Sequence, residues 1–147
     1  MPSSASSSGR SMYISRTDGG WKCALLTSKT SILSFNDLPL FLHLLLVANQ
    51  DKTYLNALKN HLPRLVDLFN PDFMFYLAGV DVLKTDKLGR LGLTIAGCKA
   101  RDRFVLNFCK QQNIPVQVSM GGGYSVNLND IINAHSNTFE LAQDIFF

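Results

Sequence analysis

The stretch IPVQVSMGGGYS, residues 114–125, decides how this chain is read. Its first seven residues are apolar or alternate with polar ones, the pattern of a partly buried strand, and helical spacing resumes a few residues later. Between the two stand Gly121, Gly122 and Gly123, followed at once by Tyr124. Consecutive glycines at a strand end mean that the backbone comes very close to something, or takes dihedral angles that a side chain forbids. A flexible turn would explain the glycines but not the phenol delivered where they end. Glycines before a helix also suit an anion. However, GGGYS has neither G-x-G-x-x-G spacing nor a P-loop lysine, so a nucleotide-binding βαβ unit is poorly supported.

Working back from that stretch, LTIAGCKARDRFVLNFCKQQN (93–113) has a stripe through Cys98, Phe104, Val105, Phe108 and Cys109, which predicts a helix with Thr94 as its cap. The Arg101/Arg103 pair reads as the solvated side of that helix. FMFYLAG (73–79) reads as a short buried strand. DKTYLNALKNHLPRLVDLF (51–69) is helical, with Pro63 expected to kink it or split it in two. Beyond Tyr124, NLNDIINAHSNTFELAQDIF (127–146) predicts a closing helix with Leu128, Ile131, Ile132, His135, Phe139, Ala142 and Ile145 inward. The ordered part is therefore helix-strand-helix-strand-helix, an α/β class. Two strands joined by a crossover helix are most simply parallel, and such sheets bind ligands beyond their carboxyl edge. Two loops lie at that edge: GGGYS and AGVDVLKTDKLGRLG (78–92). On the residues alone, Asp81 is either a carboxylate capping a turn or a rigidly held metal ligand or catalytic group. Asp86 is open to the same two readings, the first as an Asx-type turn.

Residues 1–50 differ in character. They open with the serine-rich MPSSASSSGRS, expected to be poorly ordered, and continue through Trp21 without sustained periodicity, beyond a helix or strand within 38–48. The 147 residues are 46% hydrophobic, enough for one domain with a core. A net charge of +3 without any lysine/arginine run gives no nucleic-acid surface. LPLFLHLLLVA (38–48) is too short to span a bilayer and sits too far in for a cleavable signal. Cys23, Cys98 and Cys109 have no C-x-x-C spacing, which favours a reduced, intracellular setting; the cytoplasm is expected, and the nucleus stays open although no basic cluster points to it.

Taken together, YLAGVDVLKTDKLGRLGLTIAG, the Arg101-Asp102 helix and IPVQVSMGGGYS resemble the C-terminal half of the histone deacetylase family, in its bacterial and class IV-like branch. The resemblance runs from about Asp51 to the end and includes PDFMFYLAGVD and IINAHSNTFELAQDIF. It implies a partial arginase–deacetylase fold around a parallel sheet, with a catalytic zinc (Zn2+) at the carboxyl edge. By motif match, Asp81 is the third zinc ligand, beside an Asp and a His from elsewhere. Tyr124 is the phenol that hydrogen-bonds the scissile amide oxygen and then its oxyanion, a type of contact that contributes roughly 3 kcal/mol. Family members polarise the amide through zinc and use a histidine pair as general base and acid. The resemblance further implies that Gly121, Gly122 and Gly123 let the backbone approach the metal and an acyl-lysine tunnel. Leu88 would line that tunnel and Asp86 would order its loop. The implied substrate is an acetylated lysine or a small acetylated amine.

The sequence departs from the family in having no His-His pair and no Asp-x-His. His43, His61 and His135 do not stand where they could replace them, with His61 expected to face solvent and His135 to pack in the last helix. Leu77 replaces the Asn that many relatives carry. The expectation is a C-terminal portion, from a longer gene or a truncated product, that is inactive alone and holds zinc poorly. The alternative is a non-catalytic module pairing with another chain through an open sheet edge.

Overall fold

The computed structural model describes the backbone of residues 23–27 and the whole of residues 50–147. The expected element within 38–48, together with Trp21 and His43, lies outside the described residues. Strand β1 spans Cys23–Thr27, helix α1 Asp51–Phe69, strand β2 Phe73–Gly79, helix α2 Ile95–Gln111, strand β3 Val116–Gly121 and helix α3 Leu128–Phe146. The three strands form one parallel sheet in the order β1-β2-β3. The expected β2–α2–β3 unit is present, and β1 adds a strand in a stretch where the sequence shows no pattern.

α2 begins as its sequence dictates. Thr94 has extended backbone, and its hydroxyl accepts from the Gly97 amide at 2.9 Å. Asp51, at the start of α1, accepts from both the amide and the hydroxyl of Thr94. The starts of two helices distant in sequence are thereby joined. Gly97 leaves the room this needs, since a Cβ there would lie 2.1 Å from the Asp51 carboxylate.

Pro63 does not divide α1, which is one helix of 19 residues. The carbonyl that loses its partner belongs to Lys59, on the exposed side of the helix where water can satisfy it. Tyr54, Leu58 and Leu62 keep the other side in the core.

Along β2, Met74, Tyr76 and Ala78 are buried, while Phe75 on the opposite face is 42% exposed. Parallel sheets are ordinarily covered on both faces; among the described residues only one face of this sheet is covered. α3 differs from its expected orientation in the same sense. Ala134, His135, Thr138 and Leu141 point inward, whereas Leu128, Ile132 and Phe139 are exposed. The helix is apolar on two sides, and the side packed on α2 carries Thr138 and Leu141 rather than Phe139.

Candidate active site at the carboxyl edge of the sheet

Both glycine-bearing loops leave the same edge of the sheet. β2 and β3 run in register to Gly79↔Gly121, and the Val80 amide extends the ladder by donating to the Gly121 carbonyl at 3.0 Å. Asp81 follows immediately, and the turn built on the other loop wraps around it. A Cβ on Gly122, whose φ is +69°, would lie 2.8 Å from the Asp81 Cβ. On the other side, a Cβ on Gly89 would lie 1.7 Å from the Asp81 carbonyl oxygen. These glycines are required by the close approach of two loops to the segment that carries the carboxylate.

Asp86 fastens the two loops together. One carboxylate oxygen accepts from the Leu88 and Gly89 amides at 2.8 and 2.6 Å, closing an Asx-type turn. The other accepts from the Tyr124 amide at 2.6 Å. Lys87 returns a bond to the Tyr124 carbonyl, and Asp86 bridges Ser125. The backbone of Tyr124 is thus held on both sides, while its side chain stands 61% exposed above the edge, as does Leu88 at 70%. The phenol has room to meet a ligand, and its backbone is fixed by atoms that also fix the Asp81 loop.

Beneath the edge lies a feature that includes Arg101, expected on the solvated side of its helix. Arg101 and Asp102 are 1% and 0% exposed. Asp102 accepts from Arg101 Nε at 2.8 Å, from Thr138 Oγ1 at 2.6 Å and from the Tyr76 hydroxyl. Arg101 Nη1 donates to the Gly79 carbonyl at 2.7 Å. Its Nη2 lies 2.8 Å from the Asp102 carboxylate without hydrogen-bond alignment. Burial works against the guanidinium charge, but the Tyr76 and Asp102 oxygens outweigh it and hold Arg101 well above its ordinary value. Burial likewise pushes Tyr76 well above its ordinary range. A signal was available: Asp102 falls on the Cys98–Val105–Cys109 stripe, so an acid at the centre of an apolar face demanded a partner. Arg103, the other half of the pair, is exposed as expected.

The remaining candidates are distributed away from the edge. His61 is half-buried on α1 rather than solvent-facing. His135 is buried on α3, with Nδ1 lacking a hydrogen-bond partner. Burial, then the Arg101 charge, lower its pKa from 6.5, and Asp102 opposes them. Cys98 and Cys109 are free and buried, and burial pushes both thiols up to about 11.

A zinc centre needs at least three protein donors around the ion. Among the described residues, no group of three His, Cys, Asp or Glu could hold a metal ion. Asp81 alone does not fit such a group, and the chemistry assigned to this chain is confined to its carboxylate and its phenol.

Known proteins place the architecture. Residues 40–139 match the histone deacetylase domain, more than half of the sequence, so the chain belongs to the histone deacetylase family. Over 96 residues it is 40% identical to an uncharacterized protein of Picosynechococcus sp., covering 65% of this chain and 32% of that protein. Histone deacetylase B of Dictyostelium discoideum is 41% identical over 76 residues, 52% of this chain and 17% of that one. Among solved structures, the HDA15 HD domain superposes with a TM-score of 0.54 at 26% identity, over 64% of this chain and 26% of that chain. An acetylpolyamine aminohydrolase from Burkholderia pseudomallei gives 0.55 at 16% identity over 67% of this chain and 27% of that chain, a likeness of fold alone. The α/β architecture is that of part of an arginase–deacetylase domain. The chain spans a third or less of the length of these relatives.

Proposed function

We propose that this chain supplies the carboxylate and phenol portion of a zinc-dependent deacetylase site acting on acetylated lysine or a small acetylated amine. One observation carries the reading. Asp86 ties the Tyr124 backbone to the loop carrying Asp81, at the carboxyl edge where parallel sheets bind ligands. In this reading Tyr124 donates a hydrogen bond to the acetamide oxygen, where negative charge develops as the carbonyl is attacked. Asp81 offers an oxygen donor to a zinc ion whose other ligands come from outside the described residues. Leu88 and the glycines border the substrate's path. Membership of the histone deacetylase family supports this reading. The acetylated amine stands beside acetyl-lysine because the family resemblance of the sequence implies either substrate.

The test is turnover of an acetyl-lysine peptide and an acetylated polyamine with zinc, by the purified chain alone and mixed with a polypeptide bearing His-His and Asp-x-His segments of a deacetylase. The expected result is no turnover alone and chelator-sensitive turnover in the mixture, abolished by Asp81→Asn. Chelator-sensitive turnover by the chain alone at a complete enzyme's rate would contradict the division of ligands.

The second reading, a non-catalytic module that pairs with another chain, is favoured by a different observation. At β3, one of the two edge strands among those described, Met120 and, on α3, Ile132 and Phe139 are 58%, 50% and 45% exposed and border a groove of about 580 Å³. An apolar surface beside a strand edge is a pairing surface. Under this reading, Ile132→Asp with Phe139→Lys lowers the sedimenting mass of the chain or of its complex. Unchanged mass from a folded variant counts against it.

A further inference from the structure

We propose that Arg101 is the positioning residue for Asp81, acting through the Gly79–Val80 peptide; the inference rests on the reading that Asp81 is a working carboxylate. A buried ion pair is a weak device for stability, because desolvating both charges offsets most of their attraction, and apolar side chains of similar volume often do as well. What apolar side chains cannot do is hold a backbone oxygen. Arg101 Nη1 donates to the Gly79 carbonyl at 2.7 Å, and the N–H of the same peptide unit, on Val80, donates to Gly121 at 3.0 Å. Both polar atoms of that peptide are therefore fixed, one from α2 and one from β3. It is the last peptide within the β2–β3 ladder, and Asp81 is the next residue after it.

The guanidinium is fixed in its turn. Asp102 holds Nε at 2.8 Å and is itself held by Tyr76 on β2 and Thr138 on α3. Turning the guanidinium away from Gly79 gives up its bond to β2 and its hold on Asp102, which is itself anchored to β2 and α3. The planar fork is also specific to arginine: a lysine ammonium can meet Asp102 but has no second, rigidly placed donor for the carbonyl. Asp86 orders the Asp81 loop from the solvent side and Arg101 orders its root from the core. The root is what aims the carboxylate.

The experiment compares the full chain with Arg101→Lys, and with an Arg101→Met/Asp102→Leu double variant that leaves no orphaned charge. The readout is amide hydrogen exchange by NMR, which does not depend on turnover. Positioning predicts that exchange at Val80 and Asp81 rises roughly tenfold or more. Over the same series Val105, Leu106 and Leu141 keep their protection. Equal loss of protection at the core amides, or no change at Val80 and Asp81, overturns the proposal. If neither variant folds, the unaltered chain decides: coupling across the bond from Arg101 Nη1–H to the Gly79 carbonyl is expected, and a freely rotating guanidinium overturns it. Failure of the deacetylase reading would leave every one of these readouts intact.

Discussion

Gly89 and Gly122 grip Asp81 from opposite sides, and their substitutions should differ in kind. At Gly122 a methyl meets the Asp81 Cβ and amide and must also adopt a φ of +69°, which an L side chain resists. At Gly89 it meets backbone at 1.7 Å, which no rotamer relieves. Gly122→Ala is expected to lose about 1–3 kcal/mol in urea unfolding, and Gly89→Ala more. Equal, negligible losses would mean that the loops do not close on Asp81. His135 gives a prediction in pH. Its folded pKa is lowered, chiefly by burial, so as pH falls through 6.5 the unfolded chain takes up the proton first. Stability present at neutral pH is therefore lost as pH drops from 6.5 toward the folded value. His135→Gln should flatten that decline, and an unaltered slope would show that other groups cause it. Among single residues, the glycines and Tyr124 stood out in the sequence because runs of glycine ending in a phenol have few structural uses. What Gly122 approaches was hidden, because that depends on a residue 41 positions away.

The elements α1 and α2 meet through Asp51 and Thr94, a contact spanning two helix starts. Thr94→Ala removes a cap and half of the Asp51 bonds, and a loss of about 1–2 kcal/mol is expected in thermal or urea unfolding. Combined with Asp51→Ala it should cost clearly less than the sum of the two, since the residues share bonds; full additivity would contradict the coupling. β2, α2 and α3 were legible because apolar periodicity is local: β2 falls on the expected 73–79 and Thr94 is the observed cap. Three features were not. Pro63 leaves α1 whole because its lost bond faces water. α3 turns Ile132 and Phe139 outward because two of its sides are apolar and only packing chooses between them. β1 carries no pattern of its own, and its place is set by pairing Cys23–Thr27 with Phe73–Leu77.

For the molecule as a whole, the covered face of the sheet holds the core and the carboxyl edge holds the candidate site. The other face and the groove beside β3 remain open among the described residues. No described helix is long and apolar enough to cross a membrane. That the loops carrying Asp81 and Tyr124 share one edge was legible in the sequence; the buried Arg101–Asp102 support beneath it was legible only in part, because Asp102 falls on the apolar stripe of α2 whereas nothing in the helical spacing shows that Arg101 is buried beside it. Whether these loops form the carboxylate and phenol half of a deacetylase site is decided by a graft. Residues 73–127 would replace the matching segment of Histone deacetylase B of Dictyostelium discoideum, and turnover of an acetyl-lysine peptide would be measured. An active chimera is expected, in which Tyr124→Phe lowers kcat roughly 100- to 1,000-fold and Asp81→Asn abolishes turnover. A folded chimera without activity, or one indifferent to both substitutions, would contradict the assignment.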